Sequence, residues 1–216
     1  MSIVTTIPRG WSASDIGDLT DKSFLITGGT SGIGKEAALE LARAGAHVTI
    51  TARDAAKGAA VVAEIAKERV DFKMLDLADL SSVKSFAKEF TKPVDVLILN
   101  AGVMATPFSL TKDGFELQMG TNHLGHFALA GLLHKQVGNR TVAVSSQMHR
   151  AARISGISSD DLRNRARGIG AYNPWSAYAL SKLANLLFIH EFERRSNRNN
   201  WNIEAVAAHP GYAATN

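Results

Sequence analysis

The chain has 216 residues, 45% of them hydrophobic and 20% charged, a balance suited to one sizeable globular domain with a large core. It contains no cysteine, which excludes a disulfide framework, a thiolate zinc site and a cysteine nucleophile. The net charge is +4, and the one local basic cluster is Arg150, Arg153, Arg163, Arg165 and Arg167. Without interleaved aromatics this cluster reads as a solvated cationic surface, or as an attraction for an anionic cofactor or substrate, and not as a face for nucleic acid.

The N-terminal stretch MSIVTTIPRGWSASDIGDLTDK has no long apolar run. Neither a signal peptide nor a membrane anchor is expected, and the expectation is a cytoplasmic protein. Residues 1–21 read as an arm and entry turn, with Trp11 placed to anchor it. The pattern then predicts a strand over Ser23 to Thr27, a glycine turn, and a helix from Ile33 to Ala44 that Gly45 ends. A second strand, His47 to Thr51, leads into Arg53 and an alanine-rich helix reaching about Arg69. A third strand, Val70 to Leu75, precedes Asp76-Leu77 and a helix from Ser81 to Phe90. The fourth strand, Val94 to Leu99, is apolar throughout, as for a strand buried on both faces, and runs into Asn100-Ala101-Gly102.

A long helical pattern covers about Asp113 to Gln136, followed by strand five, Arg140 to Ser145. Ser146 to Asn173 is irregular, and a helix starts near Pro174 and runs to about Ser196. Strand six, Asn202 to Ala208, ends at His209-Pro210-Gly211. Alternating strands and helices imply a single Rossmann-type α/β domain, a doubly wound parallel sheet with helices on both faces. The expected strand order is 3-2-1-4-5-6, with the ligand crevice at the carboxyl ends of the strands.

The glycine turn is Thr27-Gly28-Gly29-Thr30-Ser31-Gly32-Ile33-Gly34. Strand, glycine turn, then helix is the arrangement that cradles a pyrophosphate, although a plain strand-to-helix turn would share it. Gly28 and Gly32 permit a tight turn and close approach, and Gly34 permits close helix packing. The spacing is G-x-x-x-G-x-G, not the commoner G-x-G-x-x-G. Past the second strand an enzyme using NAD places an acid on the adenosine ribose. Here Thr51-Ala52-Arg53 occupies that place, with Asp54 one step too far along. An arginine binds a 2′-phosphate that an acid would repel, so NADP(H) is expected over NAD. His123 and His126, three apart, have no local third ligand and read as helix-packing or surface residues, not a metal site.

Tyr178-Ala179-Leu180-Ser181-Lys182 places a tyrosine and a lysine four apart, on one helical face. A phenol has an unperturbed pKa of about 10 and is a poor base, and a neighbouring ammonium favours its anion. Alone, the pair could equally be a buried tyrosine with a snorkelling lysine. Together with the glycine turn, Asn100-Ala101-Gly102 and Pro210-Gly211, it resembles the short-chain dehydrogenase/reductase family from about residue 22 onward. TNHLGHF (121–127) and YALSKLANLLF (178–188) are similar to the retinol dehydrogenase-like branch and related bacterial oxidoreductases.

The resemblance implies an oxidoreductase that moves a hydride between NADP(H) and an alcohol or carbonyl substrate. It implies that Tyr178 exchanges the proton, Lys182 tunes Tyr178 and holds the nicotinamide ribose, Ser146 polarises the carbonyl, and Asn122 distorts its helix and completes a proton relay. Ser145 is the rival to Ser146, with its side chain expected on the other face. The cofactor set it implies is Gly28, Thr30, Ser31, Gly32, Ile33, Gly34, Arg53, Asp76, Leu77, Asn100, Ala101, Gly102, Tyr178, Lys182, Pro210, Gly211 and Thr215. It also implies a homodimer or homotetramer through the two long helices, and no membrane or nucleic-acid partner. Leu99 stands where the family usually carries a second asparagine. The chain stops at Asn216, where family members continue through another strand and helix, leaving strand six as a sheet edge. Either a fragment or a shortened product fits that pattern. A non-catalytic dinucleotide-binding or sensor protein of the same fold is the alternative.

Overall fold

The computed structural model describes residues 7–65, 68–153 and 172–211. Six strands form one sheet: β1 Ser23–Ile26, β2 His47–Ala52, β3 Val70–Met74, β4 Val94–Leu99, β5 Val137–Val144 and β6 Glu204–Ala208. All pairs are parallel, in the order β3-β2-β1-β4-β5-β6 that the alternating pattern predicts. The order reverses between β1 and β4, so the loops after these two strands open a crevice at their carboxyl ends.

Strand alternation splits the core in two. Leu25 joins Leu97, Leu99, Val83, Phe86, Leu129, Leu133, Phe188 and Phe192 on one face. Its neighbours Phe24 and Ile26 join Ala38, Ala42, Val48, Ile50, Val61 and Val70 on the other. Helices α1 (Gly32–Arg43) and α2 (Ala55–Ile65) cover the second face, and α3 (Leu80–Glu89), α5 (Gly125–Leu133) and α6 (Pro174–Asn199) cover the first. Leu25 and Leu97 are fully buried, and cutting either to alanine would cost about 2–5 kcal/mol.

The helix ends follow local chemistry. Gly45, at φ +103°, turns the chain out of α1. Asp79 accepts from the Ser81 and Ser82 amides at the start of α3. Asn173 caps α6 through the Ser176 amide, with Pro174 in the first position, and Asn200 closes it at φ +53°.

Several boundaries differ from the sequence expectation. The helix expected from Asp113 starts four residues later. Residues Leu110 to Glu116 fold back on themselves through a Leu110–Glu116 bridge and a Thr111 amide to Phe115 carbonyl bond, with Gly114 at φ +83°. Glu116 then caps a short turn, α4 (Leu117–Met119), through the Gln118 and Met119 amides. A π-helical turn, Gly120–Leu124, joins α4 to α5. Strand five begins earlier than expected, at Val137, and strand six later, at Glu204, because Ile203 is tied back to the Ser196 hydroxyl. Trp11 shares a groove with Lys35, Glu36, Glu40 and Leu41 of α1 and stays half exposed. Arg163, Arg165, Arg167 and Thr215 lie outside the described residues.

Candidate active site

The glycine turn leaves β1 at the crevice. Gly28 sits at φ +71° and Gly32 at φ +54°, backbone states that suit glycine. A Cβ on Gly28 would come within 2.8 Å of the Ala101 Cβ, and one on Gly34 would strike the Asn100 side chain and the Gly28 carbonyl. The Asn100 amide explains this crowding, since it donates to the Thr27 carbonyl at 2.9 Å and the Gly28 carbonyl at 3.1 Å. Ser31 precedes α1 with extended backbone, and its hydroxyl makes no capping bond. The first α1 amides are therefore left for an anion at the positive end of the helix. These features fit a pyrophosphate.

The neighbouring strand ends carry the rest of the expected cofactor set. The Thr51 hydroxyl and carbonyl accept the Gly28 and Gly29 amides at 3.2 and 3.3 Å. Arg53 follows two residues later at this level, exposed and without a hydrogen bond or ion pair to any described residue. Asp54 is engaged elsewhere, accepting the Lys57 amide at 3.0 Å at the start of α2. Asp76 accepts the Ala78 amide at 2.9 Å, while buried Leu77 packs under Gly125, where a Cβ would strike it. A Cβ on Gly102 would stand 3.1 Å from Asn122 Oδ1 and 3.6 Å from Lys182 Nζ, so the backbone passes close to both. Pro210 and Gly211 follow β6 at the same end of the sheet, Gly211 at φ +75° with its amide on His209 Nδ1.

On the other side of the crevice, α6 brings Tyr178 and Lys182 together. Lys182 is 4% exposed, and its Nζ lies 5.6 Å from the centre of the Tyr178 ring. That ammonium donates to the Val144 carbonyl at 2.9 Å and forms no ion pair among the described residues. Burial alone lowers its pKa to about 8, so it stays charged at neutral pH. Ser145 is buried and donates to the Lys182 carbonyl at 3.0 Å, fixing the end of β5 to α6. Ser146 points the other way. Its oxygen accepts the Met148 amide at 3.3 Å, which leaves the hydroxyl proton free to donate. Asn122 lies in the π turn, where its side chain accepts the Val103 amide at 2.8 Å and donates to the Val103 carbonyl and the Ser181 hydroxyl.

The short chain dehydrogenase family model matches residues 22–216, nearly the whole chain. The chain belongs to the short-chain dehydrogenase family. Within it the relatives mark the retinol dehydrogenase-like branch. Retinol dehydrogenase 11 of Homo sapiens is 42% identical over 204 residues, covering 89% of this chain and 61% of that protein. This chain thus spans about three fifths of the length of several curated dehydrogenases that it matches. A crystal structure of an uncharacterised protein from Mycobacterium paratuberculosis superposes with TM-score 0.86 at 49% identity, covering 94% of this chain and 73% of that one. A Burkholderia cenocepacia short chain dehydrogenase in complex with NADP superposes at TM-score 0.72 and 26% identity, covering 93% and 78%.

In this short-chain dehydrogenase two buried polar groups beside the motifs escaped the sequence reading. His126 is fully buried and its pKa falls to about 3, through burial and then the Lys182 charge, so its ring is neutral. Its Nδ1 faces the Asn122 carbonyl at 2.9 Å, and a carbonyl only accepts, so the proton sits on Nδ1. Nε2 then accepts from the Thr27 hydroxyl at 2.7 Å, whose oxygen takes the Asn100 and Ala101 amides. The second is Gln118, hydrogen-bonded to Ala105, Tyr172 and Pro174. The histidine spacing in TNHLGHF is the sequence signal for the first, consistent alone with a packing or a surface role. Among the described residues no group of three potential ligands suits a metal, and no helix is long and apolar enough to cross a membrane.

Proposed function

We propose that this short-chain dehydrogenase is an NADP(H)-dependent oxidoreductase that interconverts an alcohol and a ketone or aldehyde. One observation carries the reading: a buried, charged lysine with no acidic partner among the described residues, set beside a tyrosine at the crevice. Burying an unpaired ammonium costs several kcal/mol, and a fold has little structural use for one. Its field supports negative charge on the Tyr178 oxygen while a proton passes to or from the substrate oxygen. The Ser146 hydroxyl, its proton free, hydrogen-bonds the reacting carbonyl oxygen. Asn122 holds Val103 and Ser181, which keeps the loop past Gly102 and the turn bearing Lys182 in register.

A dinucleotide bound here would supply or accept the hydride. The α1 amides and the glycine turn would hold its pyrophosphate, and Arg53 would bind a 2′-phosphate. NADP is the ligand of the Burkholderia cenocepacia relative, and the engagement of Asp54 as a helix cap supports the same choice here. Exposed Phe127, Leu132, Trp175 and Leu187 on α5 and α6 support pairing of two copies through these helices. A non-catalytic sensor of the same fold would leave the isolated ammonium without a purpose. Tyr178→Phe decides between them. Turnover of a carbonyl panel should fall by about 10³-fold, while NADPH binding by fluorescence stays within about 2-fold. Turnover equal to the parent's would defeat the mechanism.

A further inference from the structure

Gln118 is fully buried, one helical step before the π turn, and every hydrogen-bonding position of its amide nitrogen is used. The oxygen accepts the Ala105 amide at 2.8 Å. The nitrogen donates to the Tyr172 hydroxyl and to the Pro174 carbonyl, both at 2.9 Å. Three separate stretches of chain meet at this one carboxamide.

Each stretch leads to the chemistry. Ala105 lies in the loop past Gly102 and holds φ +49°, a state a residue with a Cβ rarely adopts unaided. Asn122, four residues after Gln118, holds Val103 of the same loop. Pro174 opens α6, and the helical repeat makes its carbonyl the acceptor for the Tyr178 amide. Gln118 therefore grips the carbonyl on which Tyr178 itself hangs. Tyr172 adds the third arm. Its hydroxyl accepts from Gln118 and donates to buried Glu116 at 2.8 Å, while Glu116 caps α4. Burial and then the Glu116 carboxylate keep this phenol protonated, so it remains a donor.

We propose that Gln118 is a positioning residue for the proposed reaction: it locks the start of α6, and with it Tyr178, against the Val103–Ala105 loop and the Asn122 turn. The proposal rests on the oxidoreductase reading for its kinetic half alone. Gln118 has no bond to the glycine turn or Arg53, so it should affect turnover without affecting cofactor affinity. A displacement of about 1 Å at a reacting group can lower turnover by about 100-fold.

The test is Gln118→Glu. It keeps the acceptor for Ala105 but faces Tyr172 and the Pro174 carbonyl with an ionised oxygen. Protonation returns one donor. Expected results are a fall in kcat of about 100-fold at neutral pH, NADPH affinity within about 2-fold, and a ratio of variant to parent kcat that climbs as pH falls. Relative to the parent at the same pH, hydrogen exchange of the Tyr178 amide should be faster at neutral pH and return towards the parent's on acidification. This readout needs no turnover, so it separates failure of the positioning role from failure of the oxidoreductase reading. Tyr172→Phe removes one arm without adding charge and should give a smaller loss in the same pattern, which covers the case where the glutamate variant does not fold. Parent-like exchange at Tyr178, a pH-independent kcat ratio, or equal losses in affinity and kcat would each overturn the proposal.

Discussion

The two walls of the crevice are built on opposite principles. The wall after β1 is made of backbone, where glycines allow close approach, the first α1 amides have no side-chain cap, and the side chains that help, Asn100 and Thr51, brace main-chain groups. The wall formed by α4, the π turn, the start of α5, the end of β5 and α6 is made of buried polar side chains, namely Asn122, His126, Gln118, Ser181 and Lys182. The first can bind any ligand with a suitable anion. The second spends stability to hold groups at fixed places. On the proposed function, binding belongs to the wall that costs the fold little, and chemistry to the wall that costs it most.

Lys182 carries the largest expected effect. Lys182→Met should cut turnover by about 10³-fold while raising stability by about 1–3 kcal/mol at pH 7, because an unpaired buried charge is removed. The sign follows from the lowered pKa of about 8. Below pH 8 the parent bears the full penalty of a buried ammonium. Between pH 8 and about 10.5 the folded lysine loses its proton while the unfolded one keeps it, so the parent recovers stability. Urea unfolding of both proteins at pH 7 and 10 checks this, and a variant less stable at pH 7 would contradict the account.

His126 sharpens the same contrast from the acid side. Its folded pKa of about 3 lies below the usual value of about 6.5. The unfolded chain binds the extra proton, so the stability this neutral ring contributes is complete above pH 6.5 and is lost as pH falls towards 3. Relative to His126→Gln, the parent should lose about 1.4 kcal/mol per pH unit in that window. Parallel stability curves for the two proteins would show that the ring charges in the folded state.

The smallest effect belongs to the backbone wall. Arg53→Ala should weaken NADPH binding by about 10- to 100-fold and leave NADH within about 2-fold, read by fluorescence titration. Equal losses for both would remove Arg53 from the 2′-phosphate.

What was legible in the sequence divides along the same line. The glycine turn and the Tyr178–Lys182 pair are local patterns, readable from spacing, and the strand order follows from the alternation of strands and helices with right-handed crossovers. The outward aim of Ser146 against inward Ser145 follows from strand alternation. The helix start at Leu117 was missed because its rival is a fold-back of Leu110 to Glu116 stabilised by a glycine in a left-handed state. The Gln118 and His126 bonds were missed because their partners stand far away in sequence: Tyr172 is 54 residues from Gln118 and Thr27 is 99 from His126. No periodicity records such a pairing.

The π turn Gly120–Leu124 also sets the rotational phase of the helix that follows. Its i to i+5 bond, from the Gly125 amide to the Gly120 carbonyl, accommodates one residue beyond an α turn. One residue is about 100° of rotation. Leu129 and Leu133 therefore face the core, and His126 faces Thr27, only while that residue is kept. A single deletion between 120 and 124 would restore an ordinary α-helix and swing all three side chains away together.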